Sequence, residues 1–257
     1  WLTGILLHWD WGLSPVGQSV NHQVSVRIGT SAQLLLGATI LAALIGVAVG
    51  VYTASRQYKL ADRIWQGVSI ILLNTHVIVA SLVIVLLAVQ INKAAGTRIF
   101  YVTGASSPGV TGFFPILVDR LQHLILPTIV LILINYPSYH MMQRTLLLDN
   151  ISADYVRTAR SKGLTRQQAI RKHALRTSII PVATSMAFSI AGIFTGAVLT
   201  ETIFGWEGMG RYFTTTIAKN DVHGVVAVAA FGAAMTAVGA LLSDFLLVFI
   251  DPRVRVS

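Results

Sequence analysis

Residues Thr30–Ala54 read TSAQLLLGATILAALIGVAVGVYTA, without one charged side chain. A helix needs about 20 mostly apolar residues to cross the hydrocarbon core of a bilayer. The apolar run is continuous rather than alternating, which is the pattern of a spanning helix and not of a half-buried strand. Four further runs of this kind follow, at Ile64–Gln90, Leu121–Leu147, Ile179–Phe204 and Gly224–Ile250. The expectation is an all-α, polytopic membrane helix bundle with five spanning helices.

Composition agrees. The chain of 257 residues is 54% hydrophobic and 11% charged. A soluble domain carries about 25% charged residues, and 11% leaves too little polar surface to dress a globule in water. A net charge of +9 raises nucleic acid as a partner. The cations, however, crowd into short segments between apolar runs, which is the membrane pattern. The absence of cysteine excludes a disulfide, a thiol nucleophile and any Cys-bound metal.

Loop charge gives orientation. Arg56, Lys59 and Arg63 lie between the first two runs. Arg157, Arg160, Lys162, Arg166, Arg171, Lys172 and Arg176 lie in segment 149–178, with Arg144 just ahead of it, and Arg253 and Arg255 lie in the tail. These take 13 of the 19 cations, and the positive-inside rule places them in the cytoplasm. Residues 1–29 then form an extracytoplasmic N-terminal segment ahead of a transmembrane domain at 30–257. The first residue is Trp, so a start upstream, and a sixth helix before it, are expected.

Small residues repeat every four positions at Ala38, Ala42, Gly46 and Gly50, and again at Gly192 and Gly196. Such stripes let helix backbones approach closely in lipid, most simply within one chain.

Segment 149–178 contains DYVRTARSKG (Asp154–Gly163) followed by LTRQQAIRKHALRTSIIP (Leu164–Pro181). Ser152 is placed to cap a helix, with Asp154 in its first turn, where a negative charge meets the positive end of the helix dipole. Gly163 is a natural stop in the left-handed conformation. Thr165 and Gln168 match a capping box that starts a second, basic and amphipathic helix carrying Ala169, Ile170 and Leu175. Physically, such a helix pair suits anionic lipid and a protein partner equally.

The same run resembles the signature loop of ABC-importer permeases. Arg157, Thr158 and Ala159 occupy the positions of that loop's Glu-Ala-Ala-like triplet, and Gly163 occupies its glycine. The variant resembles the dipeptide/oligopeptide/nickel permease family. TETIFGWEGMGRY at Thr200–Tyr212, DPRV at Asp251–Val254 and DWGLS at Asp10–Ser14 agree with it. The chain is most similar to the first of that family's two permease subunits. Two positions depart from the family pattern: Leu175-Arg176 stands where importers in general have Leu-Pro, and Asn74-Thr75-His76-Val77 where the family has an Ile-Pro-Ser-Phe-like stretch.

The resemblance implies the fold of a type I importer permease and a coupling role for Asp154, Arg157, Thr158, Ala159, Lys162, Gly163 and Leu164. It implies a second homologous permease subunit, two ATPase subunits or one fused pair that use ATP and Mg, and an extracytoplasmic substrate-binding protein. It places Glu201, Gly205, Gly208 and Gly210 at the outer gate or binding-protein contact, in a prokaryotic cell membrane. Short peptides are the expected cargo, with nickel or haem as alternatives within the family.

The chain itself carries no catalytic motif. A phosphate loop needs Gly-Lys before Ser or Thr, and Gly-Lys never occurs. Nucleophile-elbow and His-Glu-x-x-His patterns are also missing. Neither a catalytic nor a metal site, nor a cofactor, is expected here. Polar groups inside spans are costly and tend to face a water path or a neighbouring helix. By that criterion Asn74, His76, Asn135 and His140 are candidates to line the pathway. A secondary transporter driven by ions would need embedded carboxylates, and Asp244 is the one carboxylate well inside a run, Glu201 standing three residues from the end of the fourth.

Overall fold

The computed structural model describes residues 2–250. The DPRV motif and the tail cations Arg253 and Arg255 lie outside the described residues. The described chain is all-helical, apart from its loops and an isolated bridge between Leu13 and Ser19. In order, the helices are α1 (Leu2–His8), α2 (Val20–Ser55), α3 (Leu60–Leu73), α4 (Val77–Ala95), α5 (Phe113–Ile151), α6 (Asp154–Ser161) and α7 (Arg166–Ala169). A π-helical turn at Ile170–Ala174 leads into α8 (Leu175–Gly192), and α9 (Val198–Ile203), α10 (Met209–Ala218) and α11 (Val222–Ile250) follow. Five helical stretches are long and apolar enough to cross a membrane: Val20–Ser55, Val77–Ala95, Phe113–Ile151, Arg166–Gly192 and Val222–Phe249.

The count of five holds, but several boundaries move. Helix α2 starts ten residues before Thr30, because Asn21, His22, Gln23 and Arg27 continue the helix into a polar extension. Its 36 residues rise about 54 Å, well beyond the roughly 30 Å hydrocarbon core. The second run is not one helix. It breaks at Asn74–His76, where Asn74 closes α3 and turns its amide back to the Ile70 carbonyl at 2.7 Å. The fourth run also breaks. Helix α8 ends at Gly192, and Gly196 adopts φ +83°, so the stripe read at Gly192 and Gly196 is not one helix face.

The residues form two compact units. The first holds the chain up to Ala38, Val77–Leu131 and Ile190–Val238; the second holds Thr39–His76, Ile132–Ser189 and the chain from Gly239. In the first, Trp11, Val20, Val24, Met209, Tyr212, Ala227 and Val228 form a buried apolar cluster. Its loop 96–112 is organised by Asn92, which accepts from the Ile99 and Phe100 amides and donates to the Phe100 carbonyl.

In the second unit the glycine stripe of α2 has a direct cause. A Cβ on Gly46 would lie 2.5 Å from the Tyr139 Cβ, and one on Gly50 would lie 2.8 Å from the Gln143 Cβ. Helices α2 and α5 therefore meet backbone to backbone, and the stripe there is intrachain packing. Leu82, Leu86, Phe245 and Phe249 are all more than half exposed on spanning helices. Water would penalise such surface, whereas lipid tails accept it.

Candidate functional site

Segment 149–178 breaks at Gly163-Leu164 between two helices, as the sequence predicts, but only the first is short: the second continues through the π-helical turn into α8, so that Arg166–Gly192 is one helical stretch, and one cap also changes. Helix α6 starts after Ala153, and the Ser152 hydroxyl donates to the Asp149 carbonyl instead of capping. Asp154 does lie in the first turn and pairs with Arg157 at 3.7 Å. Both side chains are exposed, so this pair contributes at most about 1 kcal/mol.

The end of α6 is more firmly fixed. The Gly163 amide donates to the Arg160 carbonyl at 3.0 Å, and the Leu164 amide to the Ala159 carbonyl at 3.3 Å. These two bonds with a left-handed residue between them make a Schellman stop. Gly163 sits at φ +95°. Two residues on, the capping box is complete: the Gln168 amide donates to Thr165 Oγ1, and the Thr165 amide to Gln168 Oε1.

One face of this helix pair is apolar and inward. Val156, Ala159, Ala169, Ile170 and Ala174 are buried in one cluster with Ala54 of α2 and Leu147 of α5, and Leu164 packs against it. The other face is exposed and basic. Of the seven coupling candidates, Asp154, Arg157, Thr158, Lys162 and Gly163 are exposed, Leu164 is half-buried and Ala159 is buried. Ala159 and Leu164 thus anchor the pair, while the other five lie on its exposed face.

Beside this segment lies a bidentate ion pair that spacing along the chain does not reveal. Arg144 Nε donates to Asp62 Oδ1 at 2.8 Å, and Nη2 donates to Oδ2 at 2.9 Å. Gln66 Nε2 and the Tyr58 amide complete the carboxylate's shell at 2.8 and 2.9 Å. Asp62 is 1% exposed. The Arg144 guanidinium hydrogen-bonded to it holds its carboxyl below the ordinary value of 3.8, against the opposing effect of burial. In the sequence both residues had served only as loop charges. The available signal was that Asp62 is the lone acid beside three cations, and that Arg144 is the one charged residue of the run Leu121–Leu147.

The four polar candidates in spans separate into two kinds. Asn74, His76 and Asn135 are exposed. His140 is fully buried, with Nε2 3.0 Å from Thr53 Oγ1 of α2 and Nδ1 2.7 Å from Ser69 Oγ of α3. It is a bonding post between three helices and faces no path, because both ring nitrogens are taken by neighbours.

Glu201, Gly205, Gly208 and Gly210 also need correction. Glu201, Gly208 and Gly210 are buried, and Gly205 is half-buried. Glu201 Oε1 accepts from Ser31 Oγ at 2.7 Å and from the Ala197 amide at 3.3 Å; Oε2 accepts from the Arg211 amide at 2.8 Å. Ser31 Oγ in turn accepts from the Met209 amide at 2.8 Å. The carboxylate therefore sits against the start of α10, where free amides and the helix dipole favour an anion. The glycines make room for it: a Cβ on Gly208 would fall 2.3 Å from Glu201 Oε1 and 2.4 Å from Ser31 Oγ. This node ties α9 and α10 to α2 and does not itself offer a surface.

Comparison with known proteins fits these features. The family described as binding-protein-dependent transport system inner membrane component matches residues 46–256. The chain is 42% identical over 249 residues to the oligopeptide transport system permease protein OppB of Mycobacterium tuberculosis H37Rv, covering 96% of this chain and 77% of that protein. It is 32% identical to the oligopeptide transport system permease protein AppB of Bacillus subtilis 168, covering 99% and 78%. Identity to the dipeptide transport system permease protein DppB of Escherichia coli K12 is 30%, covering 97% and 80%.

Proposed function

This chain belongs to the binding-protein-dependent transport system inner membrane components, and we propose that it forms half of an import pathway for short peptides, driven through segment 149–178. Membership makes it a multi-pass, non-catalytic membrane component whose binding protein and ATPase are separate chains. The finer assignment adds a second homologous permease subunit, two ATPase subunits or a fused pair, and an extracytoplasmic location for the binding protein. Peptide cargo is supported by relatives whose names specify oligopeptide and dipeptide transport.

One observation carries the coupling role. The helix pair is stiffly terminated at both sides of Gly163-Leu164, anchored by an apolar face to Ala54 and Leu147, and bare on its other face. That is the construction of a lever that transmits motion, since an anchored rigid element passes displacement where a frayed loop absorbs it. With the cation-rich segments in the cytoplasm, the bare face meets the ATPase. Asn74, His76 and Asn135 remain candidates for the pathway wall. Glu201 and its glycines hold α9 and α10 in place, and the exposed Thr202 and Glu207 beside them are our candidates for the binding-protein contact.

The test is uptake by cells expressing the full transporter. A labelled tripeptide should enter in an ATP-dependent manner and be competed by unlabelled peptide. Uptake of Ni²⁺ or haem with no peptide uptake would replace the cargo assignment and leave the coupling role standing.

A further inference from the structure

Outside the positive-inside segments the sequence has only six cations, and three of them converge. Arg27, Arg211 and Lys219 line a cleft of about 240 Å³ in the first unit. A second cleft of about 330 Å³ adjoins it and shares Arg27, Lys219, Thr215 and Tyr212 as walls. Two acids also line the clefts, Glu207 the first and Asp221 the second, and leave an excess of one cation. Glu207 approaches Arg211 only to 4.0 Å and is mostly exposed. Asp221 is buried and accepts from the Gly224 amide at 3.0 Å. Arg27 lies flat over the Tyr212 ring, 4.4 Å from its centre. Tyr212 is 8% exposed, and its buried hydroxyl has no hydrogen-bond partner.

Three cations gathered at a cleft are the chemistry of an oxyanion site, because each charged donor gains from a charged acceptor. Depth selects the oxyanion. Arg27 lies three residues, about 5 Å, before the apolar run of α2 begins at Thr30, and Lys219 lies three residues before α11 begins at Val222. The cleft therefore lies at headgroup level, where tyrosine is favoured. The second cleft adds the exposed Val16 beside the cations, an apolar contact of the kind that acyl chains offer. We propose that this cleft binds the phosphate of a phospholipid headgroup, with Arg27, Arg211 and Lys219 as charge partners.

The test uses the assembled transporter in nanodiscs of phosphatidylcholine with a minor fraction of phosphatidylglycerol. Native mass spectrometry after release reads retained phosphatidylglycerol. Lys219→Gln is exposed and leaves the core alone. It should weaken retention about five-fold, and Arg27→Gln/Arg211→Gln/Lys219→Gln much further, the loss expected per cation near a membrane surface. Arg98→Gln, a cation away from the cleft, should change nothing. Retention unaltered in both Lys219→Gln and the triple variant overturns the proposal. Displacement of the lipid by millimolar inorganic phosphate overturns the lipid assignment in favour of a free-phosphate site, and loss of binding-protein docking with lipid retention intact overturns it in favour of a protein contact.

Discussion

Two glycines show how different the demands on one residue type are. Gly163 has open space where a Cβ would be, so only its φ of +95° resists a side chain. Gly208 has an ordinary extended backbone, but its missing Cβ is filled by Glu201 and Ser31. Gly208→Ala should therefore destabilise by about 1–3 kcal/mol through overpacking, and Glu201→Gln by a similar amount, since its NH₂ group would face the amide and hydroxyl donors that now bond the carboxylate. Thermal unfolding of the purified transporter in detergent measures both. An unchanged midpoint for the two variants would remove the node from the account. The Asp62–Arg144 pair makes a pH-dependent contribution whose sign follows from its geometry. Arg144 depresses the Asp62 carboxyl below 3.8, so the folded state binds that proton less readily than the unfolded chain. The pair's stabilisation is complete above the ordinary carboxylate value and is lost as pH falls through the lower folded one. Arg144→Met should cost about 3–5 kcal/mol at neutral pH, because it strands a buried carboxylate. Asp62→Asn/Arg144→Met should recover much of that loss and flatten the acid limb of the stability profile below about pH 4.

At the scale of elements, the helix pair proposed as the cytoplasmic lever is the part most legible in sequence. The stop at Gly163 and the capping box at Thr165 and Gln168 are local, so four or five adjacent residues specify them completely. The span breaks were not legible, because hydropathy averages over a window and does not see a turn. Asn74-Thr75-His76 and Gly192–Gly196 sit in runs that remain apolar on average, yet a side-chain amide closes one helix and a positive φ closes the other. His140 and Glu201 were misplaced for a related reason: polarity within a span says that a group needs a partner, and only the fold says whether that partner is water or a neighbour 87 or 170 residues away. The lever makes its own prediction. Gly163→Val forces a β-branched residue into a left-handed conformation at a cost on the order of 1–2 kcal/mol, which moving α7 relieves. Nothing else clashes, so insertion and yield should be normal while peptide uptake and substrate-stimulated ATP hydrolysis fall together. Undiminished uptake at matched membrane levels would leave the segment a passive anchor.

The whole molecule is organised by where its charge lies. Thirteen of 19 cations fall in the loops and tail assigned to one side, and moving any of these segments across the bilayer would mean carrying several guanidinium or ammonium groups through hydrocarbon at about 2.5–3.5 kcal/mol each at the helix centre. The orientation is therefore over-determined, and a single misassigned loop would not invert it. The chain contains no cysteine, so each introduced cysteine is its sole thiol and can be read with a membrane-impermeant maleimide. Lys59→Cys lies between α2 and α3 and Lys162→Cys within the helix pair, and both sites are exposed; they should label only after the membrane is permeabilised. Ser106→Cys in loop 96–112 and Lys219→Cys before α11 are also exposed, and they should label in intact cells. The four sites test alternate loops, so each spanning stretch between them is checked by a change of side. Labelling of Lys162→Cys in intact cells would put the helix pair on the face opposite the ATPase, and no arrangement of the remaining loops would then allow it to couple ATP hydrolysis to uptake.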